Sequence, residues 1–211
     1  IYTLKNKDFV GREYEEFVNT CKNAGIEWMN ETRFSVEEYQ KLYQNNIERA
    51  VLDNFASGKK VVLETKPKKY ADENPLALTD GVFGGGSFYS DWLGFEGNDF
   101  IAVIDLNESM DVQQISINFL QVVNHIVFLP LKVTYYYSND AKNFFKLGSI
   151  INPKPLTEKS KINDTQNFEI NFNKVNARYI KVHAENMKTP PAWHHGTGLP
   201  SWIFADEIIV N

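Results

Sequence analysis

Beyond Ser57-Gly58 the sequence becomes a succession of short apolar runs separated by clusters of Gly, Asn, Asp and Ser, with no helical period between them. Runs of this length can bury their apolar residues only by stacking as strands. Lys60-Val-Val-Leu-Glu64 is the first. Phe100 to Leu106 is almost continuously apolar, and Val112 to Leu120 sets Ile115, Ile117 and Phe119 against polar neighbours. Leu131 to Tyr137 alternates and ends in the turn cluster Ser138 to Asn143, which leads into Phe144 to Leu147. Phe168 to Phe172 and Ala177 to His183 flank a turn expected at Asn173 to Asn176, and Ile203 to Val210 is the last run. Seven or eight such strands, joined by turns rather than helices, predict a mainly β chain folded as an antiparallel sandwich or barrel.

The residues before this point follow a different period. Tyr14, Phe17, Val18, Cys21 and Ala24 recur at helical spacing, with Gly25 placed to close the helix. Ser35-Val-Glu-Glu38 reads as a capping box, and Tyr39, Leu42, Tyr43, Ile47, Ala50 and Val51 form a second apolar stripe. The expectation is an N-terminal α-helical hairpin over residues 1–56 and a β-sandwich over residues 57–211. Two helices cannot bury both stripes alone, so the hairpin reads as the tail of an upstream domain or a helical linker. The chain opens at Ile1 with neither Met nor a signal peptide, as expected of a piece of something larger.

Charge and cysteine usage remove several function classes. The net charge is -5, and no basic cluster exceeds short runs such as Lys66 to Lys69, which argues against nucleic acid as a partner. No apolar stretch reaches the length of a membrane-spanning helix, so no membrane insertion is expected. Cys21 is the only cysteine, which leaves no disulfide framework and no thiolate metal cluster, and is compatible with bacterial export.

Two loops carry chemistry. In Ala77 to Trp92, Gly81 and Gly84 to Gly86 give a backbone free to fold back on itself. Asp80 supplies a hard oxygen, Thr79 and Ser87 supply hydroxyls, and the folded backbone supplies carbonyls, which is the donor set Ca²⁺ prefers. Phe88, Tyr89 and Trp92 follow as aromatic faces. The alternative is a Gly-rich surface loop closed by core aromatics. The second loop, Lys188 to Ser201, is long, lacks a period of its own, and holds Trp193, His194 and His195, with Trp202 directly after it. Vicinal histidines on an extended chain point apart, which opposes a zinc site. No catalytic residue is assigned. Asp206 and Glu207 lie on a strand, where neighbouring side chains are expected on opposite faces, and no Gly-x-Ser-x-Gly elbow occurs.

The ordered set Ala77-Leu-Thr-Asp-Gly81 with Trp92, Ile101 to Leu106, Val133-Thr-Tyr-Tyr-Tyr-Ser138 with Phe144-Phe145, Ala177 to Val182 and Asp206-Glu-Ile-Ile-Val210 resembles the discoidin family. This family is also called the coagulation factor 5/8 C-type or galactose-binding-like jelly roll, and includes carbohydrate-binding module family 32. The resemblance runs from about Asn54 to Asn211 and implies a jelly-roll β-sandwich. Within it, Ala56 to Val61, Phe119-Leu-Gln121, Pro191 to Gly196 and Ser201 to Ile208 look like the C-terminal module of bacterial chitobiases and β-hexosaminidases of glycoside hydrolase family 20.

That likeness implies a structural calcium held by Asp80, the Leu76 or Ala77 carbonyl, Ser87 or a neighbouring loop carbonyl, the Glu207 carboxylate and the Asp206 carbonyl. The family usually has an Asn or Asp soon after Asp-Gly, where this chain has Val82-Phe83. It also implies a glycan site at the loop end of the sandwich, formed from Tyr89, Trp92, His125, Phe128, Trp193, His194, His195 and Trp202. Trp92 and Trp202 read equally as core plugs under those loops. The function implied is a non-catalytic module that binds N-acetylglucosamine- or galactose-type glycans and accompanies an upstream catalytic domain. The parent glycoside hydrolase would be exported by a bacterium to the periplasm, the outer-membrane surface or the medium. The alternatives are a structural or protein-interaction domain that docks the catalytic domain without binding sugar, and a membrane-surface lectin, which the acidic balance opposes.

Overall fold

The computed structural model describes residue 16 and residues 19–25, 54–68, 75–85, 88 and 91–211. The chain divides into two compact units, Ile1–Leu52 and Asp53–Asn211. In the first, residues 19–23 are helical. The Ala24 N–H donates to the Thr20 carbonyl at 3.0 Å and the Gly25 N–H to the Lys22 carbonyl at 3.1 Å. Gly25 takes a φ of 70°, the left-handed closure expected of it. Cys21 is buried. The expected second helix, with its capping box and the stripe from Tyr39 to Val51, lies outside the described residues.

Among the described residues the second unit contains seven antiparallel strands: β1 (Lys60–Leu63), β2 (Leu93–Glu96), β3 (Phe100–Val122), β4 (Lys132–Ser138), β5 (Phe145–Ile151), β6 (Asn163–Ala184) and β7 (Trp202–Val210). Their order is β2-β7-β3-β6-β4-β5, with β1 paired to β3. This single order becomes two layers because β3 and β6 bend together. The first part of β3 pairs with Tyr179 to Ala184 of β6 and with β1, and the same part of β6 carries β4 and then β5. The last part of β3 pairs with Asn163 to Asn171 of β6 and with β7, which carries β2. Phe100 and Phe119, from the two halves of β3, meet edge to face at 6.2 Å. Phe95 adds to this aromatic row at 5.2 Å and Phe168 at 5.4 Å. The Tyr135 hydroxyl crosses from one layer to donate to the Phe168 carbonyl of the other at 2.7 Å, which satisfies its burial. The fold is the mainly β antiparallel sandwich that the alternating runs imply.

Two expected breaks are absent. Phe100 to Leu106 and Val112 to Leu120 are one strand, and the turn expected at Asn173 to Asn176 is the middle of β6. Turn-forming residues there produce bends: Asn107 takes a φ of 74°, and the pairing slips between Asp105 and Met110 and again between Val112 and Gln114. Bulges of this kind kink a strand without ending it. β2 was not legible, because it is short and contains Gly94. A Cβ on Gly94 would lie 2.8 Å from the Phe204 ring, so the strand is selected by packing. Residues 54–56, read from the sequence as the end of the hairpin, are tied to β7. The Phe55 N–H donates to the Val210 carbonyl at 2.8 Å, and Ala56 is fully buried in the sandwich core.

Candidate functional site

A bulge in β7 sets the first part of the site. Ile117 pairs with Ile208 and Asn118 with Asp206, which leaves Glu207 as an extra residue. Bulges re-aim side chains, so Asp206 and Glu207 both turn to the glycine loop rather than to opposite faces as expected of a regular strand. The Gly81 N–H donates to Glu207 Oε1 at 2.9 Å and the Gly84 N–H to Asp206 Oδ2 at 2.6 Å. Gly81 has a φ of 82°, which favours glycine. A Cβ on Gly84 would lie 2.3 Å from the Trp92 indole nitrogen.

Both carboxyls are buried, and Asp206 is only 1% exposed. Burial raises Asp206 well above the ordinary carboxylate range. Burial first, and then the neighbouring charge of Asp206, push Glu207 up to about 10. Asp206 Oδ1 has no hydrogen-bond partner, an uncommon condition for a buried oxygen. Asp80 is exposed; its Oδ1 accepts the Val82 N–H at 2.9 Å, and its carboxyl also bonds Glu207. Ala77 is buried in the 3-10 turn Pro75–Leu78 that leads to Asp80. The Thr79 hydroxyl is spent on the Lys59 carbonyl at 3.0 Å. Ser87 lies outside the described residues. Among the described residues no group of three His, Cys, Asp or Glu side chains forms a metal cage, so an ion here needs backbone oxygens as well.

Trp92 lies beneath the loop. It is 1% exposed, its indole N–H donates to the Gly85 carbonyl at 3.0 Å, and it packs with Leu120, Val122, Val127 and Phe204 in an apolar cluster separate from the main core. The stacking role expected of Trp92 is therefore corrected: its faces are covered by protein. Phe128 is buried in the same way. Phe88 and Trp202 are partly buried against the cluster, and Trp202 stacks on Phe204 at 5.6 Å.

Above this cluster opens a depression of about 300 Å³. It is lined by the buried residues Val127 and Phe204, the half-buried residues Phe88, Ile126 and Trp202, and the exposed residues Asn124 and His125. The Phe88 and His125 rings meet edge to face at 5.1 Å, which joins the glycine loop to the 3-10 turn Val123–His125. Ile126, in the lining, takes a positive φ of 63°, and so do Asp91 at 62° after the glycine loop and Lys188 at 70° before the long loop. For β-branched Ile126 this conformation is costly, and such strain collects at binding and catalytic sites.

His194 joins the long loop to the 3-10 turn. It is 4% exposed; Nε2–H donates to the Val123 carbonyl at 2.8 Å, and Nδ1 accepts the Gly196 N–H at 3.0 Å. Its ring meets Phe128 edge-on at 5.4 Å and stacks on His195 at 4.3 Å. With both ring nitrogens engaged, it cannot bind a ligand as the sequence reading expected, and it serves as a rivet instead. At the neck of the same loop the Ser201 N–H donates to the Lys188 carbonyl at 2.9 Å, while buried Asn186 donates to the Ser201 carbonyl at 3.2 Å and accepts from its hydroxyl at 2.8 Å. Replacing His194 with Ala leaves a buried carbonyl and N–H unpaired, and is expected to cost about 2–3 kcal/mol in urea unfolding. It should also speed hydrogen exchange at Gly196.

Of the expected glycan residues, His125 and Trp202 line the depression together. Trp193 is 40% exposed and His195 is exposed, but neither lines it. Tyr89 lies outside the described residues. Phe88 sits inside the glycine-rich loop that composition singles out and Asn124 beside His125, which the family resemblance names, yet a single Phe or Asn carries no signal of its own. Ile126 and Val127 carry no signal in the sequence that marks them for a site.

Residues 56–203 match the sequence profile of the F5/8 type C domain. No curated protein matches the chain. Among solved structures, chitosan-binding module 1 derived from a chitosanase/glucanase of Paenibacillus sp. IK-5 is 16% identical, with a TM-score of 0.47 over 75% of this chain and 98% of that one. A Clostridium perfringens module in complex with glcNAc-alpha-1,4-galactose is 14% identical, with a TM-score of 0.48 over 75% and 94%. A module from a family 31 glycoside hydrolase of Clostridium perfringens is 18% identical, with a TM-score of 0.47 over 74% and 96%.

Proposed function

The chain belongs to the F5/8 type C domain family, and from that membership we propose that it is a non-catalytic carbohydrate-binding module whose site is the depression between Phe88, His125 and Trp202. One observation carries the reading: the glycine loop, the segment Asn124 to Val127 and the start of β7 converge on one open hollow lined by Phe88, Trp202 and Phe204 together with the exposed polar side chains of Asn124 and His125. A pyranose is apolar on its C–H faces and polar at its edge. Trp202 and Phe88 cover the former, while Asn124 and His125 hydrogen-bond hydroxyls at the latter. A single shallow site buries little surface, so binding to one N-acetylglucosamine- or galactose-type residue is weak and useful chiefly for holding a larger protein on its substrate. That larger protein is, in this reading, an exported bacterial glycoside hydrolase of the chitobiase and β-hexosaminidase type, with its catalytic domain upstream. It acts in the periplasm, on the outer-membrane surface or in the medium.

Calcium fits the clasp between the glycine loop and β7. Asp206 Oδ1 is an orphaned buried acceptor and Glu207 is a buried carboxyl beside it, both held at a charge cost that a divalent cation relieves. Asp80, Glu207, the Ala77 and Asp206 carbonyls and Ser87 are the proposed donors, and the ion would supply positive charge that ties the glycine loop to β7.

The test is NMR titration of the full chain with a panel of neutral monosaccharides. Shifts are expected at His125 and at the Trp202 indole, and Trp202→Ala should remove them. A panel that moves neither residue would instead support a structural domain that docks a catalytic partner.

A further inference from the structure

We propose that His194 and His195 form a proton-sensitive latch that holds the hollow in shape at neutral pH and releases it in acid. Control of the hollow rests on the sugar-binding reading above; the latch itself does not. The tautomer of His194 is fixed by its partners. A carbonyl can only accept, so the Nε2 that faces the Val123 carbonyl at 2.8 Å carries the hydrogen; a backbone N–H can only donate, so the Nδ1 that takes the Gly196 N–H at 3.0 Å is bare. Neutral imidazole satisfies both bonds at once. Imidazolium is a donor at each nitrogen, so a second proton would set Nδ1–H against the Gly196 N–H, with both residues buried.

The surroundings give a cation no compensation. His195 lies nearly parallel to His194, with ring centres 4.3 Å apart and 28° between the planes, so two imidazolium rings there would repel face to face. Phe128 and Trp193 meet the His194 ring at 5.4 and 5.7 Å and bring no charge. The 3-10 turn brings His125, and the segment Ile126 to Pro130 has no titratable group. The Ile162 carbonyl, which accepts the Val123 N–H, brings Lys161 beside the turn, and the nearby Lys154 and Asp164 pair with each other. At the neck of the long loop, Asp99 is already shared between Lys188 and His183. Among the described residues His183 is the one histidine with a carboxylate partner.

What the latch fastens is the wall of the hollow. The Val123 carbonyl also accepts the Ile126 N–H at 3.0 Å, the bond that closes the turn, and Gly196 packs so near that a Cβ on it would lie 2.7 Å from Ile126 Cδ1. The fastened segment carries Asn124, His125, Ile126 and Val127, all in the lining. A released loop accepts the second proton and a latched one excludes it, so acid favours release.

The experiment follows the full chain from about pH 7.5 to about pH 5, the span in which histidine side chains ordinarily take up a proton. The Gly196 amide is expected to be protected from hydrogen exchange at the upper end and unprotected at the lower. Affinity for N-acetylglucosamine or galactose should fall roughly tenfold in step, because only the latched fraction binds. His194→Gln keeps a donor for the Val123 carbonyl and does not titrate, so both profiles should flatten. His195→Ala, at an exposed position, removes only the second cation and should move the midpoint to lower pH. His125 lines the hollow and titrates in its own right, so His125→Gln separates the two effects: the Gly196 profile should persist in it. Gly196 protection that is constant with pH, or that is lost equally in His194→Gln, would overturn the latch. Protection lost while affinity holds would overturn control of the hollow and leave the sugar reading intact. If no sugar binds at any pH, the sugar reading and the control fall together, and Gly196 protection still decides the latch.

Discussion

Trp92→Ala should destabilise the sandwich unit by about 3–5 kcal/mol, the range for removing a large aromatic side chain from a packed interior. For a domain of this size, that corresponds to a fall in melting temperature of roughly 10 °C. The loss is large because the indole does three things at once. It fills the apolar cluster under the rim with Leu120, Val122, Val127 and Phe204, its N–H holds the Gly85 carbonyl, and its edge occupies the space that Gly84 leaves open. Trp92→Phe should recover most of the packing but not the bond to Gly85. The depression shares Val127 and Phe204 with the same cluster, so sugar binding should weaken in Trp92→Ala even at temperatures where the protein remains folded. A melting temperature within a degree or two of the parent would mean that Trp92 is not the plug described.

Calcium should have the second large effect. Added to chelator-treated protein at about a hundred times its dissociation constant, it is expected to stabilise the fold by about 2.7 kcal/mol, with the melting temperature rising accordingly. Asp206→Asn and Glu207→Gln provide the sign test. Each replaces a carboxyl that burial keeps protonated with a neutral amide and keeps an acceptor for the Gly84 or Gly81 N–H, so in chelator each should be about as stable as the parent. In calcium each should be less stable than the parent, because the amide cannot supply the negative charge that a carboxylate offers the ion. Asp206→Ala should be destabilised in both, since it also leaves the Gly84 N–H unpaired. If calcium leaves the parent's melting curve unchanged, the clasp holds without metal and the two acids sit there protonated.

The Asp206 and Glu207 pair also marks the boundary of what a sequence conveys. On a regular strand two adjacent acids face opposite ways, and nothing local in Ala205-Asp-Glu-Ile208 announces otherwise. The bulge exists because β7 must pair with β3 on both sides of Asn118, a demand made by a partner far away in the chain. The same holds for β3 and β6. Asn107 and the segment Asn173 to Asn176 carry turn chemistry, but their strands are paired along both halves, so the chain bends where composition alone suggests that it stops. Aromatic residues divide likewise: Trp92, Trp193 and Trp202 all lie in or beside glycine- and proline-rich loops, and burial in three dimensions makes one a plug, one an exposed face and one a wall of the hollow.

The sequence by itself determined the sandwich, because alternation at period two in short runs leaves no other way to bury those side chains. It also determined which loops matter, since glycine clusters and long aromatic-bearing loops are expensive to keep ordered without a use. The tertiary structure alone decided which side chains those loops present. Burial and hydrogen-bond commitment depend on neighbours brought in from distant parts of the chain: Val123 fastens His194, Gly85 caps Trp92, and Asn124, a residue with no pattern of its own, is left exposed in the lining of the site.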